Sequence, residues 1–379
     1  MAVTLPFVMF LLDYWPLARG ASGKPGLPIL EKIPLLVMSA ASCAVTVIAQ
    51  HRGGALVRTV VELPLLSRGG NSVIAYELYL REMFWPAGLS VFYPQAYDSL
   101  PSWEIVGAAL LLLVLSTMVW KFRKRFPWTV TGWLWYLGTL VPVIGLIKVG
   151  EQFIADRYTY LPFVGLFLIL SWGVAEGVRG RRHASAILAF AALAIIGCLG
   201  YVTHNQVGYW KNDETLNRHA IEVTRGNWLA KHNLASILAG QGRIEEAVAL
   251  YRGSIRDNSL SAGTHNDLAV VLGKQGRFDE AYDHLRTALQ LNPGYAEACN
   301  NLGLLLSMRN RLEEAEKYFV MAIRLKPVYP DAYYNLGLND LKRGRFGEAA
   351  THFREALRWN PGDRDILEGL QEAISRQGR

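Results

Sequence analysis

The sequence predicts an all-α protein in two parts: a multi-span transmembrane helical domain over residues 1–203, then an α-solenoid over residues 228–361. Three observations carry this prediction. Long apolar runs crowd the first half of a chain that is 51% hydrophobic. The basic excess lies there too: sixteen Lys and Arg face ten Asp and Glu before His204, against twenty-three and twenty-two from His204 onward. The second half repeats one 34-residue unit four times without a gap. Cations among apolar runs mark loops at a membrane surface. A nucleic-acid partner would need the surplus on the other half.

Taken in order, residues 2–17 are apolar up to Asp13-Tyr14-Trp15-Pro16. They lack the basic start and small-residue cleavage site of a signal peptide. They are expected to be the end of a membrane helix whose start is missing. Residues 33–50 form a second span. Residues 71–93 form a weaker one, crossing or lying in the interface, with Glu77 and Arg81 on one face. Residues 103–120 are a clear span, and 129–148 another, with Pro142 as an expected kink. Residues 160–178 and 184–203 complete about six to seven spans. Trp and Tyr crowd their ends, as in an aromatic belt.

The basic clusters Lys121, Arg123, Lys124, Arg125 and Arg179, Arg181, Arg182 are two spans apart, so both are expected in the cytoplasm. The loop at 149–159 then faces outward, and the last span carries the solenoid to the extracytoplasmic side. One loop opposes the scheme: residues 18–32 carry Arg19, Lys24 and Lys32 yet would lie outside.

Residues 204–227 form a linker with the pattern of a degenerate repeat helix. In the repeats, Leu234, Leu268, Leu302 and Leu336 recur, as do Ala247, Ala281, Ala315 and Ala349, each preceded by Glu. The mid-unit turns read Gly242-Arg243, Gly276-Arg277, Asn310-Arg311 and Gly344-Arg345. In the third unit Leu302, Leu305 and Leu306 mark the buried stripe of the first helix. Gly303 lets the second helix approach, and Asn310 suits a left-handed helix end. Ala315, Phe319 and Ala322 form the facing seam, and Pro327 ends it. This pattern is that of the tetratricopeptide repeat, a helix–turn–helix that buries its apolar face only by stacking. Residues 362–379 read as a capping helix, with Ile366, Leu367, Leu370 and Ile374 toward the array.

Cys43, Cys198 and Cys299 are odd in number and lack metal-ligand spacing, so neither a disulfide framework nor a metal site is expected; all three read as small buried residues. No catalytic constellation and no cofactor motif appears in the second half, and its histidines read as surface or seam residues. The polar residue before each seam Leu is different. Asn233, Asp267, Asn301 and Asn335 form a file along one surface, offering donors and acceptors to an extended peptide. The file resembles the Asn ladder in the repeats of O-linked N-acetylglucosamine transferases. Ordinary repeat chemistry explains it equally well. In the outward loop, Glu151, Asp156, Arg157 and Tyr158 place charges and an aromatic ring at a membrane surface. Arg157 suits a lipid phosphate, and an Asp156–Arg157 anchor is the competing explanation.

The stretches MAVTLPFVMFLLDYWPL, EKIP, WLWYLGTLVPVIGLIKV and ADRYTYLPFVG, with the repeats, resemble the transmembrane and tetratricopeptide-repeat protein O-mannosyltransferases, and more closely their bacterial relatives. The resemblance implies a glycosyltransferase type C fold in the inner membrane, with periplasmic repeats. It implies a sugar taken from a polyprenyl-phosphate carrier and passed to a Ser or Thr hydroxyl. The family's acidic pair belongs to a first extracytoplasmic loop that has no counterpart here, so no catalytic residue is assigned and the chain alone is expected not to transfer sugar. A non-enzymatic, membrane-tethered scaffold for envelope or secretion complexes stays open beside this reading.

Overall fold

The computed structural model describes residues 4–19, 30–52, 65–94, 101–145, 154–181 and 184–378. The protein divides into two compact units, Met1–Asn227 and Trp228–Arg379.

The second unit is a helical array: α9 (Trp228–Gly240) with α10 (Ile244–Asp257), α11 (Ala262–Lys274) with α12 (Phe278–Leu291), α13 (Ala296–Met308) with α14 (Leu312–Leu325), and α15 (Pro330–Lys342) with α16 (Phe346–Trp359). A last helix, α17 (Arg364–Gln377), packs on α16. The recurring Leu and Ala of the seam are buried in all four repeats. Each turn takes the expected left-handed backbone, with φ 80° at Gly242, 76° at Gly276, 59° at Asn310 and 74° at Gly344. The Arg that comes next takes the N-cap position of the second helix. Arg243, Arg277, Arg311 and Arg345 each grip the Glu three residues on, with N–O distances from 2.6 to 3.2 Å. That pairing explains why Arg and Glu recur together.

Close approach within a repeat depends on glycine. A Cβ on Gly303 would stand 2.8 Å from the Phe319 ring and 3.1 Å from the Ala315 carbonyl. Phe353 is held from two sides: a Cβ on Gly337 or on Gly369 would come within 2.8 Å of its ring. The cap differs from expectation in one respect. Ile366, Gly369 and Ala373 are buried, whereas Leu367 and Ile374 are exposed. The i, i+3, i+7 stripe faces α16, and the other two residues lie off it.

The first unit holds α1 (Leu5–Tyr14), α2 (Ile33–Arg52), α3 (Leu65–Phe84), α4 (Ser102–Phe122), α5 (Pro127–Leu140), a 3-10 turn at Asp156–Tyr158, α6 (Pro162–Gly177), α7 (Ala184–Tyr209) and α8 (Asp213–Val223). Pro142 ends α5 where a kink was expected: the helix stops at Leu140 because Pro has no N–H to continue it. Gly132 of α5 and Gly165 of α6 meet backbone to backbone, with no room for a side chain on either. Tyrosines tie α3 to α5. The Tyr76 hydroxyl donates to the Leu137 carbonyl (2.7 Å), and the Tyr136 hydroxyl donates to the Tyr76 carbonyl (2.6 Å). Glu77 and Arg81 form no ion pair among the described residues. Of the cysteines only Cys299 is buried, which pushes its thiol up to about 11; Cys43 and Cys198 are exposed on their helices, against expectation.

Two helices among the described residues are long and apolar enough to cross a membrane, α4 and α7. Leu5–Tyr14, Ile33–Thr46 and Pro162–Gly177 are shorter apolar helices.

Histidines take up specific contacts inside the array. His265 on α11 and His284 on α12 bring their Nδ1 atoms to 2.9 Å. Burial holds both imidazoles below their ordinary value of 6.5. His232 is held low by burial as well, with Asp267 pulling the other way. All three are therefore neutral in the fold and gain protons on unfolding below about pH 6.5, where the unfolded chain binds more protons. Stability is complete above that pH and falls as pH drops through it toward the folded-state values. The repeat unit should melt at a lower temperature at about pH 5.5 than at about pH 7.5, monitored by circular dichroism, and His284→Gln should flatten that dependence. An equal slope in the variant would remove the pair from the explanation.

Candidate functional site

In the repeat unit the site is the face of the first helices. Asn233, Asp267, Asn301 and Asn335 stand at equivalent positions of α9, α11, α13 and α15. The structure adds a second row of partners. Asn301 Nδ2 donates to Asn266 Oδ1 of the preceding repeat at 2.9 Å, and Asn335 Nδ2 donates to Asn300 Oδ1 at 3.0 Å. Asp267 continues the line, accepting from Asn266 Nδ2 at 3.0 Å and facing His232 Nε2 at 3.5 Å. The file is therefore double: Asn301 and Asn335 are each fixed by the residue before their counterpart in the previous repeat. Both are half-buried. Each amide still has a carbonyl and a second N–H beyond that bond. Asn233, on the first repeat, is exposed and makes no hydrogen bond among the described residues. Beside the file Leu304 is 40% and Met308 54% exposed, one and two turns along from Asn301.

In the first unit, the turn Asp156–Tyr158 is positioned by Tyr79. Its fully buried hydroxyl accepts from Ala155 N at 3.0 Å and donates to the Ala155 carbonyl at 3.3 Å. Near Asp156 the Tyr93 hydroxyl accepts from Ser90 N at 2.9 Å. Burial raises the Asp156 carboxyl above its usual range, and the neighbouring Tyr93 hydroxyl opposes the shift. Arg157 is exposed, with its guanidinium 5.3 Å from the Tyr158 ring centre. Glu151 lies outside the described residues. Asp156 and Arg157 form no direct ion pair among the described residues.

A cavity of about 940 Å³ opens in this unit, reached by Ile154 just before the turn and by Tyr93 but not lined by Asp156, Arg157 or Tyr158. Arg81 and Glu82 of α3, Tyr93, Glu104 of α4 and Arg225 after α8 supply its polar wall; Ile74, Leu78 and Trp85 supply an apolar one. No pattern in the sequence points to it, because its groups come from four separate segments. The nearest signal was the charged interruption of the apolar run around Glu82. Mixed charges, aromatic rings and an apolar wall suit a ligand with a polar head and a greasy part.

Family models described as tetratricopeptide repeat match residues 229–258, 260–327 and 330–363. Among curated proteins the chain is 27% identical over 158 residues to Protein O-mannosyl-transferase Tmtc2 of Drosophila melanogaster, covering 42% of this chain and 15% of that relative. It is 31% identical over 117 residues to TMTC2 of Homo sapiens, covering 30% of this chain and 14% of that one. It is 30% identical over 148 residues to Tmtc1 of Drosophila melanogaster, covering 38% and 17%. The chain thus matches about a sixth of these relatives' length at most. Among solved structures, YrrB, titled a TPR protein with an unusual peptide-binding site, aligns at 18% identity and TM-score 0.37 over 47% of this chain and 88% of that one. TTC0263, a thermophilic TPR protein of Thermus thermophilus, aligns at 23% identity and TM-score 0.39, over 46% and 95%. Residues 229–363 of the chain thus carry tetratricopeptide repeats, and the chain is similar over part of its length to the Protein O-mannosyl-transferases Tmtc1 and Tmtc2.

Proposed function

We propose that this chain is a membrane-anchored receptor for extracytoplasmic polypeptide, and that it serves as the acceptor-binding and carrier-facing part of a lipid-phosphate-sugar-dependent protein O-glycosyltransferase. The observation that carries the first half is the double amide file on the repeats. Fixed amides at a constant repeat match the regular donors and acceptors of an extended backbone and ask for little side-chain identity.

Asn233 is the clean probe, since it supports no neighbour among the described residues. Asn233→Ala should weaken binding of an unstructured Ser/Thr-rich peptide by ~0.5–1.5 kcal/mol, the range of one hydrogen bond, without moving the melting temperature. Asn301→Ala should weaken binding and also lower the melting temperature, because it cuts a repeat-to-repeat bond. Calorimetric titration and thermal melts read both. Unaltered binding in both variants would leave the file a structural device only.

Membrane anchoring is supported by α4 and α7. Among the described side chains α7 buries none, and α4 buries only Ala108. Apolar faces of that size need lipid around them. The orientation is inferred from the basic clusters. The loop that opposes the scheme carries Arg19, paired with Glu31 (2.9 Å) and Asp13 (3.4 Å), and buried Lys32, paired with Asp13. Reporter fusions after Asp213 should be active outside the cytoplasm, and fusions near Lys124 and Arg181 inside it. A cytoplasmic signal after Asp213 would reverse the scheme.

The carrier-facing role rests on the family likeness and on the cavity reached by Ile154 just before the Asp156–Tyr158 turn. Arg157 is the residue assigned to the carrier phosphate, with Asp156 and Tyr158 shaping its turn. Arg157→Gln should reduce binding of short-chain polyprenyl phosphate to the purified protein by roughly ten- to a hundred-fold, the worth of a charge-assisted bond of about 1.5–3 kcal/mol. The same affinity in the variant would favour the scaffold reading, in which the repeats act without a carrier.

A further inference from the structure

We infer that one end of the α4–α5–α6 bundle is a docking collar for anionic phospholipid headgroups. The inference rests on the membrane reading above and adds a site to it.

The sequence shows two basic clusters; the fold brings them together. α5 and α6 run antiparallel through the Gly132–Gly165 contact. A Cβ on Gly173 would be 3.3 Å from the Trp128 ring, so the last turn of α6 lies beside the first turn of α5. Arg179 and Arg181 come after that last turn, and Lys121, Arg123, Lys124 and Arg125 precede that first one. Six cations therefore share one end of three packed helices. One carboxylate answers them there, Glu176, which reaches Arg179 at 3.7 Å. The other five have no carboxylate partner among the described residues.

Three of the cations lie over aromatic rings. The Arg123 guanidinium sits 4.2 Å from the Trp120 ring centre, that of Arg125 5.1 Å from Phe126, and the Lys121 amine 5.9 Å from Phe122. Arg123 also donates to the Trp120 carbonyl at 2.8 Å. Cations stacked on rings at the end of an apolar helix lie where lipid tails give way to headgroups. Arg forks match phosphate oxygens in geometry as well as charge. Such an excess of cations over carboxylates calls for anions from outside, and at that depth the anions at hand are lipid phosphates.

Native mass spectrometry of the detergent-purified protein tests this, using phosphatidylglycerol and phosphatidylcholine with the same chains. Phosphatidylglycerol should be retained in preference. Arg123→Gln/Lys124→Gln/Arg125→Gln should lower its apparent affinity roughly 100-fold, at about fivefold per cation removed. Arg123→Lys/Arg125→Lys keeps the charge and should keep most of the preference. If the triple variant does not fold, Lys121→Gln/Arg179→Gln gives the same readout with a loss of about 25-fold. Equal retention of the two lipids by the wild-type protein, or no loss in the neutral variants, overturns the collar. Alkaline carbonate treatment separates the two levels. Protein that stays in the membrane without a lipid preference sinks this inference alone, and protein released by carbonate sinks the membrane reading too.

Discussion

Ring against glycine sets how closely the two helices pack in the third and fourth repeats, where the first two carry Ala235 with Tyr251 and Ala269 with Leu285 at the same positions. Phe319 lies against Gly303, and Phe353 lies between Gly337 and Gly369, with no space for one more carbon. A solenoid repeats its geometry from unit to unit, so successive first helices keep a constant spacing. The amide file depends on that spacing. Asn301 reaches Asn266, and Asn335 reaches Asn300, at almost the same distance, because successive first helices stand equally far apart. A surface of regularly spaced amides is thus an outcome of seam packing and needed no loop of its own.

The first unit solves close packing with the same residue. Gly132 against Gly165 lets α5 and α6 touch main chain to main chain. Hydrogen bonds do the remaining orientation. Trp133 Nε1 donates to Ser116 Oγ at 2.9 Å, Trp135 Nε1 to the Leu161 carbonyl at 2.9 Å, and Tyr79 brackets Ala155. Aromatics that read as a belt in the sequence are, in part, polar fasteners between helices.

What the sequence showed plainly was whatever repeats locally. Leu302, Gly303, Asn310 and Phe319 take the roles their spacing implied, since helix period and left-handed turns are short-range properties. Pro142 was harder, because a proline kinks a helix or ends it according to the packing of the residues beyond it. The contact of His265 with His284 was hidden by hairpin register, even though His284 and His352 occupy the same position of their repeats. Half of the amide file was legible as Asn233, Asp267, Asn301 and Asn335. The other half, Asn266 and Asn300, looked like ordinary neighbours until two helices were set side by side. The cavity was least legible of all. Glu82, Tyr93, Glu104 and Arg225 share no local pattern, and only tertiary packing brings them together.

Phe353 has a consequence for how the array comes apart. In a one-dimensional stack each unit leans on its neighbours, so the end units, with one neighbour missing, are the natural places to fray. Here α17 supplies the missing neighbour through Gly369 and grips the same ring that Gly337 grips from within. To the fourth repeat α17 looks like more array. Fraying of that repeat must first peel away a helix whose buried residues are Ile366, Gly369 and Ala373. The fourth repeat is packed from both sides, as an interior unit is.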